Sequence, residues 1–139
     1  MVYVRDRKRR ASLNTVCLSG RIASDPAADM KCNGDGMCCL TISLAVNRDR
    51  AKPDAKQKTD FISVVIYGKT AEFVGQYLDK GALVEITGRV QIRQYESQGQ
   101  PRTSFEVLAD SVQALESKEA AELRRAKSGK PAPVTNPEG

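Results

Sequence analysis

The 139-residue chain is 40% apolar with a net charge of +5, which is room for one compact domain and little more. No apolar run approaches the roughly 20 residues a membrane helix needs. The N-terminus is charged where a signal peptide has its apolar block, so a cytoplasmic protein with no membrane association is expected. There is no His to complete a common zinc pattern, and Cys17, Cys32, Cys38 and Cys39 form no spaced disulfide framework. They are expected to be small reduced thiols, with no metal and no cofactor.

Residues 1–12, "MVYVRDRKRRAS", are basic and lack periodicity, and they read as a flexible arm. A β-rich stretch from Leu13 to Ile22 follows, then turn signals at Asp25-Pro26 and Asn33-Gly34. In "MCCLTISLAVN", Leu40, Ile42, Leu44 and Val46 alternate with Thr41, Ser43, Ala45 and Asn47, the pattern of a half-buried strand. "RDRAKPDAKQK" has Pro53 and no apolar rhythm, so it reads as a long loop carrying Arg48, Arg50, Lys52, Lys56 and Lys58. The next strand, "DFISVVIYGK", puts Ile62, Val64 and Ile66 on one face and Phe61, Ser63, Val65 and Tyr67 on the other. Its second face therefore begins and ends with an exposed-looking ring. Ala71, Val74, Tyr77 and Leu78 then recur at helical spacing, and Gly81 is the expected helix stop.

The strand "ALVEITGRVQIRQYE" is long enough to need the break that Gly88 permits. Val84, Ile86, Val90 and Ile92 are expected inward, and Arg89, Gln91, Arg93 and Tyr95 outward. "SQGQPR" turns the chain into a last strand, "TSFEVLADSVQALE". The order β-β-β-α-β-β predicts an all-β fold: a five-stranded OB-type Greek-key barrel over residues 13–116, with one helix between strands 3 and 4. Residues 117–139 are expected to be a short basic, disordered tail, although "SKEAAELRRAKS" can extend as a helical stub.

The two basic ends account for the positive charge, so any anion-binding surface on the domain must be a local patch. Phe61, Tyr67 and Tyr95 share the outward faces with Arg89 and Arg93, close to the basic loop. Rings beside cations suit a single-stranded nucleic acid, whose bases stack while Lys and Arg meet its phosphates. Structural roles for the same rings remain open here: Phe61 could plug a barrel end, and Tyr67 could pack on a neighbouring subunit. No nucleophile is paired with a base, so no catalytic residue is expected.

The chain closely resembles the bacterial single-stranded DNA-binding protein family from Leu13 to about Glu116. The likeness rests on "LNTVCLSGRIASDP", Asn33-Gly34, "LAVNR", "TDFISVVIYGKTAE", "YLDKGALVEITGRVQIRQYE" and "EVLADSVQAL", in this order and spacing. It implies an OB fold, a homotetramer of dimers joined along the first strand, and sequence-independent binding of single-stranded DNA in replication, recombination or repair. Under it, Phe61, Tyr67 and Tyr95 stack bases. Arg48, Arg50, Lys52, Lys56, Lys58, Lys69, Arg89 and Arg93 are the expected backbone contacts. Arg50 stands where many members carry a further ring, and a guanidinium can stack there. The family's long acidic tail with its apolar tip has no counterpart in "VTNPEG", so recruitment of replication or repair enzymes by that route is not expected. A phage, plasmid or paralogous version is expected in preference to a housekeeping copy. The alternative reading is an OB scaffold similar to primosomal replication protein N, touching DNA only incidentally.

Overall fold

The computed structural model describes residues 12–128. Its strands are β1 (Val16–Ile22), β2 (Lys31–Cys32), β3 (Cys38–Asn47), β4 (Thr59–Tyr67), β5 (Leu83–Ser97) and β6 (Gln100–Ala114), and its helices are α1 (Pro26–Asp29), α2 (Gly68–Tyr77) and α3 (Lys118–Ser128). The sheet runs β1-β5-β6-β4-β3-β2, and pairing of β1 with β3 at Arg21 and Ile22 closes it into a barrel. The expected OB barrel is therefore present. The strand its pattern omitted is β2, too short at two residues to show any alternation.

Alternating apolar side chains fill the interior: Ile22, Leu40, Leu44, Ile66, Val84 and Ile86 are all buried. Two glycines allow strands to pass unusually close. A Cβ on Gly20 would run into the Ala45 carbonyl where β1 meets β3, and one on Gly88 would strike the Leu108 carbonyl. The β5–β6 register shifts at Thr87/Gly88, the break expected there.

Four expectations need correction. Helix α2 ends at Tyr77, and Gly81 instead makes a left-handed turn (φ 96°) into β5, its N–H donating to the Ile22 carbonyl. Ile92 is 54% exposed, because the β5–β6 hairpin runs past the barrel to a two-residue turn at Gln98 and Gly99, both with positive φ. Cys32 and Cys38 are joined as a disulfide, leaving Cys17 and Cys39 free; the short β2–β3 pairing sets the two half-cystines directly opposite each other. The first part of the expected disordered tail is the eleven-residue helix α3. Arg124 holds it by forked hydrogen bonds to Asp79 and Glu116, and Arg125 also reaches Asp79. The arm expected over residues 1–12 lies outside the described residues except for Ser12, as does the tail beyond 128.

Among the described residues no helix is long and apolar enough to cross a membrane.

Candidate nucleic-acid interface

Strand β4 lies between β3 and β6, and β5 follows β6, so the outward faces of four strands form one continuous surface. Alternation along β4 puts Phe61, Ser63, Val65 and Tyr67 there. Phe61 is 67% exposed and Tyr67 53%, while Val65 between them is buried. Rings left this open beside a buried aliphatic floor are not serving as core.

On β5 the outward positions are Arg89, Gln91, Arg93 and Tyr95, and all four are exposed. The Arg93 guanidinium lies over the Tyr95 ring, 5.8 Å from its centroid, which fixes both groups in one cation–π pair. Arg93 also acts on Tyr67: partial burial raises that phenol above its ordinary pKa, Cys39 and Glu106 push the same way, and Arg93 pulls it down. Arg93 thus lies over Tyr95 and also exerts its charge on Tyr67.

Lys69 is exposed in the first turn of α2, two residues past Tyr67, beside a cavity lined by Asn33, Asp35, Met37 and Glu72. Arg50, Lys52, Lys56 and Lys58 are exposed on the loop between β3 and β4, and the Arg48 N–H donates to the Lys58 carbonyl at its neck. Among the described residues, none of Arg50, Lys52, Lys56, Lys58, Lys69, Arg89 and Arg93 has a carboxylate partner. Seven cations are thereby left available to an external anion. Arg48 differs. Its guanidinium is forked onto Asp60 at 2.9 and 3.0 Å, which holds Asp60 below the usual carboxylate range and raises Arg48.

Sequence reasoning overlooked Glu106. The structure brings it onto this face, opposite Gln91 and only 9% exposed. Its signal was faint: in "TSFEVLADSV" an alternating Glu reads as solvated, and only the strand order reveals that β6 lies in the middle of the surface.

A closed barrel, antiparallel except where β4 runs parallel to β6, that bears rings and uncommitted cations on one face is an OB-fold protein whose surface suits stacking and anions. The chain belongs to the single-strand binding protein family, whose family model matches residues 13–115. It is 42% identical over 108 residues to a single-stranded DNA-binding protein of Fusobacterium nucleatum, covering 76% of this chain and 69% of that one. A Bacillus cereus protein of the same description is 45% identical over 105 residues, covering 75% of this chain and 61% of its own length. The solved structure of a Plasmodium falciparum SSB complex with ssDNA superposes with a TM-score of 0.67 at 29% identity, over 78% of this chain and 99% of that chain.

Proposed function

We propose that the protein binds and protects single-stranded DNA without regard to sequence during replication, recombination or repair, and that it does so in the bacterial cytoplasm by binding alone, without catalysis. The carrying observation is the open trio Phe61, Tyr67 and Tyr95 on the same side of the barrel as cations that lack carboxylate partners. Stacking on a ring needs no particular base, because every base has a π-face. The relatives named for single-stranded DNA binding, and the neighbour solved with ssDNA, support this reading.

The working unit we propose is a tetramer of dimers joined along β1. Supporting it, β1 pairs with β3 only at Arg21 and Ile22, so the far edge of Val16–Gly20 offers unpaired backbone groups to another strand. Leu13, 92% exposed, and the half-buried Val16 and Leu18 add apolar surface around it.

Titration of oligo-dT against duplex DNA of equal length, read by anisotropy alongside light scattering, tests both parts. Strong preference for the single strand and a tetrameric mass are expected. Weak binding with no preference would replace this reading with the scaffold, and a monomer at micromolar concentration would remove the tetramer.

A further inference from the structure

Glu106 is an anomaly on a surface otherwise suited to a polyanion. Its side chain is nine-tenths buried, yet among the described residues it has no hydrogen bond and no ion pair. Among the described residues no fully buried side-chain oxygen lacks a partner, so the unpartnered carboxylate oxygens reach the surface at the top of a buried stem. Arg93 does not neutralise them, since its guanidinium lies over Tyr95 and makes no ion pair.

Its cross-strand neighbours are polar. Gln91 stands directly opposite on β5. On the other side, the parallel register that sets Val64 beside Val107 sets Ser63 beside Glu106, and Ser63 pairs with Ser43 on β3. A row Ser43, Ser63, Glu106, Gln91 therefore crosses the sheet between the levels of Phe61 and Tyr67. Phe61 and Tyr67 are six residues apart on β4, a span of about 20 Å at 3.3 Å per residue. That is room for nucleotides lying between two stacked bases, with their edges over the polar row.

We infer that this row reads base edges, with Glu106 accepting a hydrogen bond from an exocyclic amino group; the inference rests on the proposed binding of single strands. An ionised carboxylate can only accept. Cytosine presents its N4 amino group as donor, whereas thymine presents the O4 acceptor at the same place. The consequence is a tilt in base preference superimposed on sequence-independent stacking: Glu106 favours cytosine over thymine relative to what the rings alone would do. A repelled phosphate is kept off the same spot, so the backbone is left to the cations at the rim.

The test compares oligo-dC, oligo-dT and an oligomer in which pyrimidin-2-one, lacking the amino group, replaces each cytosine. The wild-type protein is expected to bind oligo-dC about tenfold more tightly than the pyrimidin-2-one oligomer, the scale of one charge-assisted hydrogen bond. Glu106→Gln, whose amide can also donate to O4, is expected to shift the dC-to-dT affinity ratio toward dT by about the same factor. Equal wild-type affinity for oligo-dC and the pyrimidin-2-one oligomer overturns the role of Glu106, even if Glu106→Gln fails to fold. So does an unchanged ratio in a folded Glu106→Gln protein. Failure of the wild type to bind any of the three oligomers would overturn the binding proposal itself, and this inference with it.

Discussion

A side chain's place in a strand decides which face it serves, but its partners decide whether it is available. Tyr67 shows the first point: strand alternation sends it outward, and it stays half exposed after folding. Tyr67→Ala is expected to weaken oligo-dT binding by about 1–3 kcal/mol, the usual scale for a stacked base, with an unchanged melting temperature; unaltered affinity would take the ring out of the site. Arg48 shows the second. Asp60 occupies its guanidinium, so Asp60→Asn is expected to release a cation, tighten binding at low salt and steepen the salt dependence by about 0.7 for one added phosphate contact. A slope equal to that of the wild type would mean that Arg48 stays away from DNA. Phe61, Tyr67, Tyr95 and the cations were legible in the sequence because alternation and charge are local properties. The Arg48–Asp60 fork and the burial of Glu106 were not, since each depends on which strands become neighbours.

Among the elements, α3 and the β2–β3 hairpin owe their form to contacts that no local pattern announces. The helical tendency of "SKEAAELRRAKS" was readable, but its anchor joins Arg124 to Asp79 across 45 positions. Burial by itself would raise the Asp79 and Glu116 carboxyls; hydrogen bonds and charge from Arg124, with Arg125 on Asp79 and the Leu83 N–H on Glu116, outweigh it and hold both below their ordinary values. Carboxyls depressed on folding stabilise the docked helix fully above their unfolded range, about 3.9 to 4.3. That contribution is lost as pH falls through the lower folded values. Arg124→Ala is therefore expected to cost about 1–3 kcal/mol near neutrality, because two largely buried carboxylates lose their closest charged partner and keep only the longer contacts from Arg125, Arg21 and the Leu83 N–H, and to flatten the acid dependence of unfolding. An acid titration with the same shape as that of the wild type would show that the clamp is idle. The hairpin gives a simpler test. Alkylation of the folded protein without reductant is expected to label Cys17 and Cys39 and to spare Cys32 and Cys38 until reduction; labelling of all four at once would mean the bridge is not formed.

The whole molecule's charge is distributed against a simple picture of a basic domain wrapping DNA. Residues 1–12 contain Arg5, Arg7, Lys8, Arg9 and Arg10 against Asp6 alone, and the segment after 116 is basic too, so the barrel itself contributes little to the +5. Local cations on the ring-bearing face can bind phosphates at short range, but at physiological salt they have little reach beyond a Debye length of about 8 Å. A basic segment covalently tied to Leu13 could extend the footprint by neutralising phosphates on either side of that face. Each phosphate neutralised on a single strand contributes about −0.7 to the slope of log affinity against log salt. If the Arg5 to Arg10 cluster engages three, deletion of residues 1–12 is expected to flatten the slope by about two units and to weaken binding chiefly at low salt, where counterion release is most favourable. The stacking contribution carries little of this salt dependence, so affinity at high salt should change far less. A truncated protein with the full-length slope would show that the N-terminal cluster is idle, and the β3–β4 loop cations, Lys69, Arg89 and Arg93, together with the basic segment after 116, would then have to account for the whole electrostatic footprint.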